Sequence, residues 1–372
     1  MKSVEIAEQG QRTLSEIFSQ PQCWSASLAQ LAASAELRAA IQLARPAADR
    51  PGLDRPGPEW IFVGCGTSYY LAQAAASSFN HLNLPARAVP ASDLLLYPAL
   101  TLHAGRDYVP VVISRSGLTS EAVRAAQALE KDHNLRTIAI TCAEGQPLEA
   151  ACSVTLKLLD ADEQSTVMTR SFTSMLLGLQ YLAAIVSGNN PFRRALTELA
   201  PQVEPLLNDI PQRLRLFVES RSFSDFVFLA QGPLFGIASE CMLKVTESSS
   251  SYAQVFHSLE FRHGPKSIAS PDTLITFLIS ETSYDAEVEL LEEMKALGAA
   301  TMVIANRVDS RAQQAADFAI EFGLQSPEYA LPAAFAIWGQ LYGVYYGLKK
   351  GLNPDSPKNL TRVVELKPEI SR

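Results

Sequence analysis

The chain of 372 residues is poor in the side chains that most often mark metal, redox or nucleic-acid chemistry. It has five histidines (His81, His103, His133, His257 and His263), and no two share the spacing of a metal-ligand pair, which argues against a metal site. Its five cysteines (Cys23, Cys65, Cys142, Cys152 and Cys241) are scattered without a CxxC pair, so neither a disulfide framework nor a zinc knuckle is expected. Basic residues are outnumbered, 31 Lys and Arg against 39 Asp and Glu, and the net charge of −8 excludes a general nucleic-acid-binding face. No uninterrupted apolar run reaches the roughly 20 residues that span a bilayer. Residues 1–10 carry Glu5 and Glu8 in place of the apolar stretch of a secretory leader. A reducing cytoplasm, with no membrane or nucleic-acid partner, is the expected setting.

Against those absences, 47% hydrophobic and 19% charged residues describe an ordinary globular protein. The length exceeds one comfortable core and suggests two domains. Residues 13–18 and 24–44 read as helical from their three- and four-residue apolar spacing. Pro46, Pro51, Pro56 and Pro58 then mark a loop. Strands are expected over 60–64, 86–90, 109–114, 137–141 and 154–158, and helices over 69–80, 120–131 and 171–186. Such alternation means βαβ units on a parallel sheet.

The pattern then repeats. Ile61-Phe62-Val63-Gly64-Cys65-Gly66 answers to Val227-Phe228-Leu229-Ala230-Gln231-Gly232, and Val112-Ile113-Ser114 to Leu278-Ile279-Ser280. Thr137-Ile138-Ala139-Ile140 answers to Thr301-Met302-Val303-Ile304. The offset holds at roughly 165 residues, the mark of a duplicated domain. The expected division is a helical segment over 1–55, a first α/β domain over 56–190, and a second over 191–372 that includes the C-terminal tail.

Two loops of the first copy follow strands and precede helices: Gly64-Cys65-Gly66-Thr67-Ser68 and Ser114-Arg115-Ser116-Gly117-Leu118-Thr119. A parallel sheet binds ligands outside the carboxyl ends of its strands. Hydroxyls and backbone N–H groups at helix N-termini there form a cradle for a phosphate. Arg115 is expected to contact the anion, and Cys65 to line the cradle without acting as a nucleophile, for want of a neighbouring base. A dinucleotide fingerprint is rejected: Tyr69 stands where the third glycine belongs, and the first acidic residue afterwards, Asp93, comes late. The second copy reads Ser280-Glu281-Thr282-Ser283, which sets a carboxylate where a phosphate would sit and opposes binding. One composite site is therefore expected, phosphate held by the first copy and other groups supplied by the second.

In the second copy Glu240, Lys244 and Glu247 fall at i, i+4 and i+7 and share one helix face. The alternative is a solvated salt-bridged stripe, but this helix begins at a strand's carboxyl end, and two carboxylates beside a lysine suit acid/base work. Downstream, His263 sits among Glu260, Arg262 and Lys266, just before Gly264-Pro265. Imidazole titrates near neutral pH and suits a proton shuttle. The other four histidines have no such company and read as surface or packing residues.

Together with Leu243-Lys244-Val245-Thr246-Glu247 and Glu260-Phe261-Arg262-His263-Gly264-Pro265, the two loops resemble the tandem sugar-isomerase (SIS) domain family. The resemblance is greatest to the isomerase half of glucosamine-6-phosphate synthase and to its amino-sugar-phosphate deaminase and ketose/aldose isomerase relatives. It runs from about residue 20 into the tail, Asp355-Ser356-Pro357-Lys358-Asn359-Leu360-Thr361-Arg362. It implies two parallel five-stranded sheets flanked by helices, each a flavodoxin-like three-layer sandwich. It implies that Ser114, Ser116 and Thr119 hold a sugar phosphate, with Arg115 where Gln is common. Cys65, Gly66, Thr67 and Ser68 would lie beside the sugar chain. Glu247 would be the base between C1 and C2, with Lys244 and Glu240 as its neighbours. His263 would open the sugar ring, as a histidine that reaches across from a second subunit in relatives, and Glu260 would lie beside it. Glu163 to Arg170 resembles another substrate loop, with Met168 where the synthase has serine. Arg362 replaces the lysine able to form an imine with the ketose; a guanidinium stays protonated and cannot do so.

The expected reaction starts from an amino-sugar 6-phosphate, with glucosamine 6-phosphate as the leading candidate, and ends in fructose 6-phosphate and ammonia. It needs no cofactor and no glutamine. A plain aldose–ketose isomerase and a fructosamine-6-phosphate deglycase are the neighbouring alternatives. A sensor that binds without turnover is a third, opposed by the presence of both Glu247 and His263. A homodimer with a shared site is implied by the family histidine alone.

Overall fold

The computed structural model describes residues 9–44 and 57–366. The expected loop prolines Pro46, Pro51 and Pro56 and the reading of residues 1–8 lie outside them. Three helices come first, α1 (Gln11–Phe18), α2 (Gln20–Ala33) and α3 (Ala35–Ala44). The single helix expected over 24–44 is thus two. Ser34 interrupts it, and its hydroxyl accepts the Leu37 N–H at 3.0 Å, the bond an N-cap serine makes to a new helix.

The first sheet contains β1 (Glu59–Gly64), β2 (Ala86–Pro90), β3 (Tyr108–Ile113), β4 (Ile138–Thr141) and β5 (Val154–Lys157). All pairs are parallel, in the order β2-β1-β3-β4-β5. Helices α4 (Thr67–His81), α5 (Ser120–Gln127) and α6 (Arg170–Val186) accompany it. After α7 (Ile210–Ser220) come β6 (Asp225–Ala230), α8 (Phe235–Ser249), β7 (Ala253–His257) and β8 (Thr273–Ile279). Then follow α9 (Tyr284–Ala296), β9 (Ala300–Ala305), β10 (Phe318–Glu321) and α10 (Pro332–Lys349). The second sheet reads β7-β6-β8-β9-β10, again all parallel. Each sheet thereby has the doubly wound order 2-1-3-4-5.

The chain forms two compact units, one from each sheet. The first comprises Cys23–Asp162, Arg170–Arg194 and Thr361–Arg372; the second comprises Met1–Gln22, Glu163–Thr169 and Ala195–Leu360. In the first, Ile61, Val63, Val112 and Ala139 pack with Ala122, Ala125 and Leu129 beside α5. On β1, Trp60 and Phe62 meet Phe79 of α4, each ring pair 4.8 Å between centroids. The continuous apolar runs of β1 and β3 are what a sheet covered on both faces requires. Every residue of α6 from Ser171 to Ala184 is buried, so that helix is core of its own unit.

In the second unit α8 and α10 pack almost backbone to backbone. A Cβ added to Gly339 would lie 2.5 Å from Cys241 Cβ. At Gly343 it would lie 2.7 Å from the Lys244 carbonyl oxygen, and at Gly347 2.2 Å from that of Ser248. Three glycines at i, i+4 and i+8 open one groove along α10, and α8 lies in it. Pro332 to Gly347 are buried, so this helix too is core.

Candidate active site

In the first unit, two close approaches shape the loop after β1. A Cβ on Gly64 would fall 2.5 Å from the Ser68 carbonyl, so only glycine lets α4 start there. Gly66 has φ 53°, in the left-handed region that glycine reaches without strain. Ser68 N–H donates to the Cys65 carbonyl at 3.0 Å, and Thr67 and Ser68 are buried in the first turn of α4. Burial first, then the Glu121 carboxylate, pushes the Cys65 thiol up to about 12. It therefore stays protonated and is no nucleophile.

The loop after β3 is tied to the neighbouring strand β4 and to itself. Ser114 N–H donates to the Ile140 carbonyl at 3.2 Å, and Ser114 Oγ to Thr119 Oγ1 at 3.4 Å. Gly117 N–H closes the turn on the Ser114 carbonyl at 3.3 Å, and Leu118 N–H donates to Ser116 Oγ at 3.2 Å. Ser114, Ser116 and Thr119 thus stand in the loop that leads into the N-terminus of α5, the end of a helix that attracts anions.

Arg115 is only 4% exposed, and its guanidinium donates to the Arg362 carbonyl at 3.1 Å. Beyond it Ser120 N–H donates to the Val364 carbonyl at 3.3 Å, and Leu366 N–H to Ser120 Oγ at 3.0 Å. The C-terminal segment is bound along the loop, and Arg362 points its own guanidinium at Asp162 Oδ1, 2.6 Å away. Arg115 thus anchors the tail with at least one of its N–H groups.

The equivalent loop of the second unit holds a carboxylate, but a different one from that expected. Glu281 is exposed and accepts from Asn306 Nδ2 at 2.7 Å. Glu287, one turn into α9, turns back into the loop instead. It accepts from Ser280 N–H at 3.0 Å, Ser283 Oγ at 2.8 Å and Ser258 Oγ at 2.5 Å. Burial pushes its pKa up, while the three donors pull it back. The donors that a phosphate would use are occupied by the chain's own side chain.

On α8, Lys244 Nζ lies 3.3 Å from Glu240 Oε1 and 2.5 Å from Glu247 Oε2. Lys244 and Glu240 are buried; the Glu247 side chain keeps 18% of its surface. Burial alone would pull the lysine down, but Glu240 and then Glu247 outweigh it, and the ammonium is held above its ordinary value. The trio is therefore a charged, ordered group and not a solvated stripe. Its expected location needs correction. Glu247 lies 12 residues into α8, about 18 Å from the helix start at 1.5 Å per residue. It sits toward the amino-terminal edge of the sheet and away from the carboxyl edge where α8 begins.

His263 lies at the carboxyl edge, beyond β7, in a turn between the short 3-10 segments Leu259–Arg262 and Pro265–Ile268. It is exposed, as is Glu260, whose carbonyl accepts the His263 N–H at 3.0 Å. Strand β7 runs between Glu247 and His263, about 13 Å from its first residue to its last. Of the other histidines, His257 stacks on Phe235 at 3.8 Å, while His81, His103 and His133 are exposed.

In the stretch 163–169, Glu163 is buried and Oε1 accepts both the N–H and the hydroxyl of Thr169, at 2.6 and 2.7 Å. Gln164 and Ser165 N–H groups donate to Glu16 Oε1 at 2.6 and 3.2 Å. Glu163 braces this loop from within; Met168 is half-buried. Sequence reasoning gave no part to Glu16, Glu287 or Glu293, the last of which pairs with both cations beside His263. For Glu287 a signal existed: it stands 166 residues after Glu121, within the repeat. Among the described residues no group of three or more His, Cys, Asp or Glu is placed to hold a metal, and no helix is long and apolar enough to cross a membrane.

The SIS domain family model matches residues 58–185 and 224–341, the stretches that contain the two sheets. The chain belongs to the SIS domain family. It is 28% identical over 360 residues to the D-galactosamine-6-phosphate deaminase AgaS of Shewanella sp. strain ANA-3, covering 93% of this chain and 87% of that protein. It is 26% identical over 319 residues to a glutamine–fructose-6-phosphate aminotransferase (isomerizing) of Pyrobaculum aerophilum. That match covers 81% of this chain and 50% of the aminotransferase, so the chain spans half the length of such relatives. The solved structure of glucosamine-6-phosphate deaminase from Thermotoga maritima has a TM-score of 0.72 to this chain at 26% identity, over 95% of this chain and 100% of that one.

Proposed function

We propose that the chain is a phosphosugar isomerase that deaminates a hexosamine 6-phosphate, glucosamine 6-phosphate or galactosamine 6-phosphate, to the ketose 6-phosphate and ammonia. The observation that carries this reading is the trio on α8. A buried ammonium 2.5 Å from Glu247 Oε2 fixes one partly exposed carboxylate in place as a base. The substrate class comes from two deaminase relatives that the chain matches over most of their length.

In this mechanism Ser114, Ser116 and Thr119 take the phosphate, and Cys65 to Ser68 line the sugar chain. His263 opens the ring by moving a proton from O1 to O5. Glu247 removes the C2 proton and returns it at C1 while the amine gives up a proton and O1 gains one, so the aldehyde carbon becomes CH2OH and the C2–N bond an imine. Water adds at C2, the C–N bond breaks, and ammonia leaves behind a ketone; overall the step is a hydrolysis. Lys244 holds Glu247 in place between turnovers, and Glu240 balances the lysine's charge.

We further infer a homodimer in which His263 serves the partner's site. Support comes from β7, which separates His263 from Glu247 within the unit, and from the exposure of the imidazole. A cytoplasmic setting agrees with five cysteines that are all free thiols.

The test is incubation with both hexosamine 6-phosphates and measurement of ammonia and ketose together. Both products are expected in equal amounts; turnover of the corresponding hexose 6-phosphates alone makes the chain a plain isomerase, and no product from either kind of sugar refutes turnover. Glu247→Gln should bind substrate but lose at least about a hundredfold in kcat. Mixed with His263→Gln, it should recover about a quarter of wild-type activity, because half the dimers are mixed and each restores one of two shared sites. Mixing without recovery refutes the shared site.

A further inference from the structure

The turn that carries His263 is held from two sides by its own chain. From the core, Phe261 is fully buried in the apolar cluster that contains Leu291 and Met294, and its ring lies 5.4 Å from that of Phe256. From α9, the Glu293 carboxylate takes both cations that flank the imidazole. Arg262 Nε lies 2.9 Å from Oε2, and Lys266 Nζ lies 2.6 Å from Oε1. Between those cations Gly264 has φ 126°, which no other residue type adopts without strain. One carboxylate therefore closes a loop on either side of His263, each oxygen bound to a different arm. Lys266 first and Arg262 second hold the Glu293 carboxyl below its ordinary range, so it stays charged in working conditions.

All three side chains are about a third exposed, and ion pairs in that setting add little to stability. A geometric role explains the arrangement better than a stabilising one. The imidazole itself is exposed and must hold its orientation without packing, and a turn pinned at both shoulders supplies that.

We propose that Glu293 is a positioning residue for His263, setting the orientation of the imidazole before substrate arrives. The proposal rests on the reading above in which His263 moves a proton on the sugar ring. Without the carboxylate, the turn loses its closure and the two shoulders of His263 are no longer tied together.

Four proteins test it: wild type, Glu293→Gln, His263→Gln and the double variant. Each is assayed for ammonia release from glucosamine 6-phosphate and galactosamine 6-phosphate. Glu293→Gln should lower kcat about tenfold, with KM within about twofold, as expected of a misplaced catalytic group. In the His263→Gln background the same change should cost less than about twofold, because its effect runs through the imidazole. An equal loss in both backgrounds means a general structural defect and overturns the proposal, as does undiminished turnover in Glu293→Gln. If His263→Gln keeps full turnover, the role given to His263 fails first, and the two failures are told apart. Arg262→Gln with Lys266→Gln breaks the same bridge from the other side and must reproduce the pattern should Glu293→Gln not fold.

Discussion

Gly343→Ala is the most direct test of how the Glu240–Lys244–Glu247 trio, proposed above for acid–base work, is held. The new methyl carbon would lie 2.7 Å from the Lys244 carbonyl oxygen and 2.9 Å from the carbonyl carbon, both backbone atoms that no rotamer change can move. Ordinary van der Waals contact begins at 3.4 Å, so α8 must retreat by 0.7 Å or the two helices must splay. Overpacking of this kind costs about 1–3 kcal/mol. Alanine returns about 1 kcal/mol of helix propensity. The net loss is about 0–2 kcal/mol, a fall in Tm of up to about 8 °C. The effect on catalysis should be larger, since a misplacement of 1 Å at a reacting group can cost about a hundredfold. With Lys244 and Glu247 on the displaced helix, kcat should drop at least about tenfold while phosphate binding is retained. Thermal melting and turnover on the same sample give both numbers. Wild-type kcat per folded molecule, even with a lowered Tm, would refute the idea that this backbone contact places the base.

Other tests bear on the loops. Ser114→Ala with Ser116→Ala should raise KM for the phosphorylated sugar by about tenfold or more, since each hydrogen bond to a charged group is worth about 1.5–3 kcal/mol; an unchanged KM removes these hydroxyls from phosphate binding. Glu287 has a pKa above its ordinary 4.5, so the stability linked to it is complete below that pH and declines as pH rises through the folded-state value. Glu287→Gln should therefore gain on wild type in Tm as the buffer is taken upward from pH 4.5, and a parallel pair of curves would show that burial does not shift this carboxyl.

Most of the sheet architecture was legible because its strands are short apolar runs closed by Gly or Ser, a pattern that local chemistry dictates. The trio was legible from spacing alone, since i, i+4 and i+7 define a helix face in any context. Its place in the unit was not. That depends on how far along α8 each residue stands, and 12 residues of helical rise carry Glu247 away from the end where the helix begins. The break at Ser34 was a local signal, a capping residue inside an apolar repeat. The tail contact of Arg115 and the Ser258 contact of Glu287 were not legible, because each joins groups that only the fold brings together, 247 and 29 residues apart. The glycines of α10 carried a readable four-residue spacing, but only the partner helix reveals what it accommodates.

Because Glu287 supplies from within what a bound ester would otherwise supply, the C-terminal half of the duplication is complete without a guest. In the companion half the matching hydroxyls turn to partners of their own loop, Ser114 Oγ to Thr119 Oγ1 and Ser116 Oγ to the Leu118 N–H, and no side chain of the following helix is drawn into the turn among the hydrogen bonds of these two serines.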